Sequence, residues 1–561
     1  MIHFIILGIK YMSRFLFSFV MCFILQTVVG LGQSGMVRTY GGSSQDWGQN
    51  IISTNNKNYV FTGITSSIDG DFLGLNKGND DICVVKIDSV GKTIWKRVYG
   101  GWLKDWGQSL IKTSDDNIIV SGITTSNDGD FGGLNHGNTD LFIMKIDLDG
   151  KLLWKKLIGG SQDDIFYHLI STRDNGFLIT GYTNSNDGDF EGMTIGDQDE
   201  KRDLFVIKFD TLGKIQWKKT FGGTNYDFGV SSINTSDNGY VISGNSYSND
   251  GDFLGMNKGD QDIVVIKIDS LGKLLWTKSI GGKERDECLS MNSTSDGGFV
   301  LTGNTFSNDG HFQNMNKGGG DIFILKCDNE GKTIWKKTFG GTTTDVCKSV
   351  TVDTKNRITI TGTTRSDDGD FKGFDSDVNW FDIFVLSVDS SGELLWTKFY
   401  GNGYFGGGYS TDQGNSIISD TEGGYVIIGE TNSNEGTFYN MNKSGKRGGT
   451  YDIFVMKLDS SGVLNIPTSI NEFSESTTTL SVHPNPFSNT TTVSYKVETP
   501  SNISIELLNT LGQTIEVLRN DYSDSGTYQL PLNVSNLSSG MYSVRMRSGS
   551  SSMVVPVWVV N

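Results

Sequence analysis

Carboxylates are the commonest candidates for chemistry in this chain, and five pairs of them flank a glycine. The pairs are Asp69 and Asp71, Asp128 and Asp130, Asp187 and Asp189, Asp250 and Asp252, and Asp368 and Asp370. Hard oxygens clustered in this way are what a calcium ion takes. Two further copies break the pattern as Asp309-Gly310-His311 and Glu435-Gly436-Thr437, and no copy has the ligand spacing of an EF-hand loop. Calcium binding is one reading of these loops; an Asp/Gly turn is the plainer one. No other cofactor is expected. Catalysis has less to work with. His136, His168, His311 and His483 belong to no recurring set, and no G-x-S-x-G, H-E-x-x-H or phosphate loop is present. No catalytic residue is assigned. Trp47, Trp106, Trp380, Tyr404 and Phe405 stand among acids and glycines, where rings would stack on a sugar or anchor a protein partner.

Other ionisable residues recur too often to be catalytic. Asp46, Asp105, Asp164, Asp227, Asp286 and Asp345 each lie four residues beyond a glycine pair. Asp81, Asp140, Asp203, Asp262, Asp321, Asp382 and Asp452 open apolar runs such as Asp-Ile-Phe. Lys86, Lys145, Lys208, Lys267, Lys326 and Lys457 follow within those runs, with Ser387 the exception. A catalytic group is needed once, whereas a group present in every copy holds every copy together. These residues read as repeated hydrogen-bond and ion-pair ties. Residues 172–176, 235–239 and 294–298 are similar to the Asp-box hairpin of sialidase propellers, but lack its Thr-Trp ending and read as Asp/Gly turns.

The elements that must position these residues are strands. Trp95, Trp154, Trp217, Trp276, Trp335 and Trp396 recur at intervals of 59, 63, 59, 59 and 61 residues. Each copy holds four short runs rich in Ile, Val, Phe and Trp, separated by Asp/Asn/Gly turns; in the second copy they cover 107–112, 118–124, 141–146 and 152–157. Runs apolar on both faces suit a sheet packed between two like sheets. Four strands per unit, stacked radially, make a propeller blade. The array begins with 36–40, which matches a fourth strand, and ends with 451–459, which matches a third. The expected fold is all-β: a seven-bladed propeller over 33–464 in which the N-terminal strand completes the last blade. The pattern W-x-K, GG-x3-D, TG, S-x-DGDF, G-x2-DIFVxK and D-x2-G-x3-W resembles the bacterial SBBP-type β-propeller repeat. That resemblance implies an architecture and little about activity.

The ends of the chain read differently. From Met12, Arg14, an apolar run over 15–25 and the small residues Gly30 and Gly32 before Gln33 read as a signal peptide over 1–32, with Met1 as the other start. A polar linker is expected over 465–479. Residues 480–561 alternate at the spacing of a small Ig-like β-sandwich. Within them SVHPNPF at 481–487, LLNTLG at 507–512 and LSSGMY at 537–542 resemble the type A C-terminal sorting domain of type IX secretion in Bacteroidetes-like bacteria. The resemblance makes Pro484, Asn485, Pro486, Gly512, Gly540 and Tyr542 signature positions. It implies passage to the cell surface or medium, with the secretion machinery as partner and association with the outer-membrane surface. Pro556 in the last strand and the absence of a terminal Lys depart from that family.

The totals agree with a turn-rich secreted protein. Glycine stands at 72 against 6 prolines, and the net charge of −17 excludes nucleic acid as a partner. Cys83 and Cys327 fall at core positions of the repeat. Cys288 and Cys347 are equivalent in successive copies and are either two thiols or a disulfide. The expected function is a non-catalytic binding or adhesion module for an extracellular glycan or protein. The rival is a secreted carbohydrate-active enzyme, a glycoside hydrolase or lyase, which would gather its departures from the repeat into one cluster of acids. Length variation falls in 197–202, 375–381, 402–411 and 443–450, all on the side of the second-to-third and inter-blade connections, which is the expected ligand face.

Overall fold

The computed structural model describes residues 36–193, 202–372, 381–401, 411–433, 436–438, 441 and 450–464, and beyond them 480–483, 490–497, 500–509, 514–533, 537–538, 540–548 and 551–559. The chain divides into two compact units, Met1–Asn465 and Ile466–Asn561. The signal-peptide and linker expectations, the loops 197–201, 375–380, 402–410 and 443–449, and Trp380, Tyr404, Phe405, Pro484, Asn485, Pro486 and Gly512 lie outside the described residues.

The first unit is a seven-bladed β-propeller of four-stranded antiparallel sheets. Blade two shows the plan: Asp105–Lys112 innermost, then Ile118–Thr124, Asp140–Ile146 and Leu152–Ile158. Its third strand, DLFIMKI, is buried at every residue, because sheets pack on both of its faces. The core accordingly lies between blades: Ile119, Leu141 and Ile143 of blade two pack with Phe177, Ile179, Phe205 and Ile207 of blade three. The outermost strand carries the recurring tryptophan, which staples the turn of the next blade. Trp95 Nε1 donates to the Leu148 carbonyl at 2.9 Å, and Trp217 and Trp335 repeat the contact with Ser270 and Ser390. Gly150 in that turn has φ +77°, and a Cβ there would come within 3.0 Å of the Trp95 ring, so both backbone and packing require glycine.

Met36–Tyr40 supplies the outer strand of the seventh sheet, ahead of Asp452–Leu458, Tyr425–Thr431 and Asp412–Ser419. Its antiparallel register runs from Met36 opposite Lys457 to Tyr40 opposite Ile453. The last blade also bonds to the first: Asp46 N donates to the Tyr451 carbonyl at 2.8 Å and Asn415 Nδ2 to the Gly48 carbonyl at 2.9 Å. Every innermost strand has a bulge after its third residue. The residue left without a cross-strand partner is Gln49, Gln108, Tyr167, Val230, Leu289, Lys348 and Asn415 in blades one to seven. A bulge re-aims a side chain, and here it does so once per blade.

The second unit has a three-stranded sheet of Leu480–His483, Thr490–Val497 and Gly526–Asn533. Its four-stranded sheet is ordered Thr514–Ser523, Ser501–Leu508, Gly540–Ser548 and Ser551–Val559. Val493, Tyr495 and Val497 of the first share a core with Ile503, Ile505, Val544 and Val557 of the second. Pro556 pairs with Ser543 in the edge strand, the place in a sheet where proline is tolerated. Cys83, Cys288, Cys327 and Cys347 are buried free thiols, so the disulfide alternative for Cys288 and Cys347 does not apply. Burial pushes the Cys288 thiol up to about 11 and that of Cys347 to about 12.

Candidate functional site

The repeated carboxylates sit in the joints between blades. Asp105 Oδ2 accepts from Gly101 N and Ser126 Oγ, both at 2.8 Å, while Thr124 Oγ1 bonds the other oxygen. Asp164 repeats this with Gly160, Ser185 and Thr183, and Asp227 with Gly223, Ser248 and Ser246. All are buried. Burial, against these hydrogen bonds, pushes the carboxyls of Asp46 and Asp164 up to about 7 and that of Asp227 to about 6. In addition, the peptide N–H of each of these aspartates bonds the preceding blade at the residue just before its third strand, as in Asp227 N to the Arg202 carbonyl at 2.7 Å.

The Asp-Gly-Asp loops clasp the same joints. Asp128 Oδ1 accepts from Trp102 N at 2.8 Å, and Asp130 Oδ2 from Gly100 N at 2.9 Å. Asp69, Asp187, Asp250 and Asp368 accept in the same way from the backbone at 43, 161, 224 and 342. Asp71, Asp189, Asp252 and Asp370 bind the first amide of each glycine pair. The two deviant copies keep that last bond through His311 Nδ1 at 3.1 Å and Thr437 Oγ1 at 3.2 Å. An acceptor is preserved in all seven blades; its charge is not. Among the described residues, no group of three or more His, Cys, Asp or Glu is gathered in a way that could hold a metal ion.

The repeated lysines of blades two to five and seven pair with hairpin acids and not with the joint aspartates, while Lys86 of blade one, whose hairpin has Asn56 in place of the acid, donates to the Leu148 carbonyl at 2.8 Å. Lys145 meets Asp115 at 2.7 Å, Lys208 meets Asp174 at 2.8 Å, Lys267 meets Asp237 at 2.9 Å and Lys326 meets Asp296 at 2.7 Å. The segments 172–176, 235–239 and 294–298 are therefore turns locked from behind by a buried ammonium. Blade six loses both partners together. Ser387 replaces the lysine and bonds Thr359 Oγ1 at 2.9 Å, and Lys355 occupies the hairpin position of the acid.

A cavity of about 630 Å³ is lined by the innermost strands of all seven blades. The bulged residues and the residues after them, chiefly serines, make much of its wall. His168 lies there, held neutral by burial with its pKa lowered to about 4. Its Nδ1 accepts from Ser232 N at 3.1 Å, which leaves the proton on Nε2.

Beside the cavity, which Arg202 and Phe228 line, one sector departs from the repeat. The guanidinium of Arg202 lies 4.8 Å from the ring centroid of Tyr182, 5.2 Å from that of Tyr226 and 5.6 Å from that of Phe228. Tyr182 and Phe228 meet edge-to-face at 5.2 Å, and Tyr226 stands against Tyr247 at 6.3 Å. Arg285, the next cation along, is paired with Glu287. The position of Arg202 is Asp80, Thr139, Gln261, Gly320, Phe381 and Tyr451 in the other blades, so the arginine is no repeated tie. Trp47 and Trp106 occupy the second position of their innermost strands, the position Phe228 and Glu287 hold in blades four and five. Trp106 Nε1 is engaged by Asp80 at 3.2 Å. Neither tryptophan lines the cavity, whereas Phe228 and Glu287 do. Sequence reasoning missed Arg202, Tyr182, Tyr226, Phe228 and His168. The available signal was the residue before each third-strand aspartate, which differs in all seven copies.

Comparison with known proteins identifies the second unit. Residues 481–560 match the family described as secretion system C-terminal sorting domain. The chain is 22% identical over 459 residues to an uncharacterized WD repeat-containing protein of Acanthamoeba polyphaga mimivirus, covering 65% of this chain and 32% of that protein. It is 26% identical over 192 residues to the regulatory protein FlaEY of Caulobacter vibrioides, covering 33% and 20%. It thus spans about a third and a fifth of the length of these relatives. Among solved structures, puromycin hydrolase is 11% identical over 71% of this chain and 52% of its own, with a TM-score of 0.37. Cobalt-substituted apocarotenoid oxygenase from Synechocystis is 10% identical over 76% and 96%, at 0.37. A thermostable family-43 glycoside hydrolase is 13% identical over 55% and 97%, at 0.29. Residues 481–560 are a type IX secretion C-terminal sorting domain, which marks this propeller for the cell surface or the extracellular space.

Proposed function

We propose that the propeller is a non-catalytic surface binding module, exported by its C-terminal domain, that takes its ligand at the cavity mouth formed by blades three and four. The carrying observation is the composition of that sector. In this sector the repeat is abandoned for Arg202, Tyr182, Tyr226, Phe228 and Tyr247, a set suited to recognition, while the acids Glu287 and Glu430 at the matching positions of blades five and seven are partnered by Arg285 and Asn415. Rigid rings and a planar cation on strand ends give contact area at little entropic cost. Screening the purified full-length protein on glycan and host-protein arrays is the test. Binding that weakens at least tenfold in Tyr226→Ala supports the reading. Release of shortened sugars from any bound glycan, followed by chromatography, would replace it with the carbohydrate-active enzyme.

A further inference from the structure

Arg202 lines the same cavity as Arg285 but differs from it in its pairing. Arg285 pairs with Glu287 and Arg357 with Asp353, but no carboxylate pairs with Arg202 among the described residues. Its Nε is sealed from solvent without a hydrogen-bond partner among them. Holding a guanidinium half-dry and uncompensated is costly. The three rings around it repay part of that through their faces, and they fix the plane of its donor fork. In a chain of net charge −17, an uncommitted cation at a cavity is the reverse of the surrounding field and marks the spot where an anion is favoured. The cavity, about 630 Å³, suits a molecule of one or two sugar units and excludes a folded partner. Its wall adds the amides of Gln49, Gln108 and Gln261, the rings of Tyr167 and Tyr247, and the charged Arg285, Glu287 and Lys348, while the Asn245 amide is held by the Cys288 backbone. Amides of this kind read hydroxyl groups.

Resting on the binding-module reading, we propose that the site recognises an acidic sugar. Its carboxylate lies on the Arg202 fork, one face of the ring lies against the Tyr226–Phe228 edge, and its hydroxyls meet the amide wall. A guanidinium matches a carboxylate with two parallel hydrogen bonds, a geometry that lysine cannot supply. The chemistry is shared by a free uronic acid and by the end of a uronate-containing polysaccharide.

Calorimetric titration of the full-length protein with methyl glucuronide, methyl glucoside and a uronate trisaccharide tests this. The glucuronide is expected to bind at least tenfold more tightly than the glucoside and to weaken as salt is raised. A trisaccharide that binds more tightly than the monosaccharide assigns the source to a polysaccharide end; equal affinity assigns it to the free acid. Arg202→Gln should remove the preference for the acid, and Arg202→Lys should restore only part of it, with Arg173→Gln on the exposed hairpin as the unchanged control. The wild-type comparison of glucuronide with glucoside needs no variant and stands even where Arg202→Gln fails to fold. Equal binding of glucuronide and glucoside, an undiminished acid preference in Arg202→Gln, or tighter binding of an N-acetyl dipeptide acid than of any uronide overturns the proposal. A neutral glycan or protein that binds and is lost in Tyr226→Ala sinks the acidic-sugar inference and leaves the binding module standing. No ligand of any class sinks both.

Discussion

Each innermost strand carries the most repeated and the most variable position of the propeller within four residues. At its first residue stands the joint aspartate, the same in all seven blades. Three residues on stands the bulged position, occupied by Gln49, Gln108, Tyr167, Val230, Leu289, Lys348 and Asn415. The aspartate is buried and takes hydrogen bonds from two hydroxyls and an amide, so any change strands several donors at once. The bulged residue has no partner across the sheet and faces the cavity; apart from Asn415, which bonds the Gly48 carbonyl of blade one, a change there disturbs little. Repetition here marks structure, and divergence marks the cavity surface that the repeat does not use.

The largest expected effect breaks the repeated side of this comparison. Asp227→Ala leaves Ser246, Ser248 and Gly223 N–H without an acceptor and should cost about 2–4 kcal/mol in denaturant unfolding. Gln108→Ala on the variable side should stay within about 0.5 kcal/mol. Equal losses at the two sites would end the distinction.

A middle-sized effect is expected at the hairpin tie. Lys267→Ser strips Asp237 of its ammonium and should cost about 1 kcal/mol, kept small because Asp237 is 57% exposed. The pair D237K with K267S copies blade six and should recover at least half of that loss in a double-mutant cycle. Simple addition of the two single losses would mean that blade six lost its partners independently.

The smallest effect is the dependence of melting on pH. Burial raises the joint carboxyls of Asp46 and Asp164 from 3.8 to about 7 and that of Asp227 to about 6, and does the same for the third-strand carboxyls of Asp81, to about 7, and of Asp262 and Asp321, to about 6. Groups raised in the fold hold protons that the unfolded chain releases. Their contribution is therefore complete below about pH 4 and lost as the pH climbs through 6 to 7. The hairpin acids act oppositely. Against a burial penalty, hydrogen bonds from Thr235 and Lys267 hold Asp237 at about 2, and Thr294 and Lys326 do the same for Asp296. Their contribution is present above pH 4 and lost only toward pH 2. Scanning calorimetry should give a Tm a few degrees higher at pH 5 than at pH 8, with a shallower slope in Asp164→Asn. A Tm that rises from pH 5 to pH 8 would contradict the joint assignment.

Much of the architecture was legible because a residue required by every blade is written seven times. The tryptophan interval exposed the blade, and the match of 36–40 to a fourth strand exposed the completion of the seventh sheet. The pairing of lysines with hairpin acids is not written in either segment alone, since the partners lie about 30 residues apart. Arg202 was illegible for a different reason. Its rings come from the second strand of blade three and the start of blade four, and only the joint between the blades brings 182, 202, 226 and 228 together. Trp47 and Trp106, read from the face of the long connections, stand at homologous positions on blades one and two.

The outer strand Met36–Tyr40 has a consequence for how such a molecule is made. Thr39 Oγ1 reaches across 402 residues to the Met441 carbonyl, and its strand finds its ladder only at Asp452–Leu458. On a chain synthesised from its N-terminus, six sheets can form as their residues arrive, while the earliest strand waits unpaired for the last. Any product truncated within the propeller therefore keeps open strand edges at both ends of the array. Completion of the seventh sheet therefore waits until Asp452–Leu458, the third strand of the last blade, has been made.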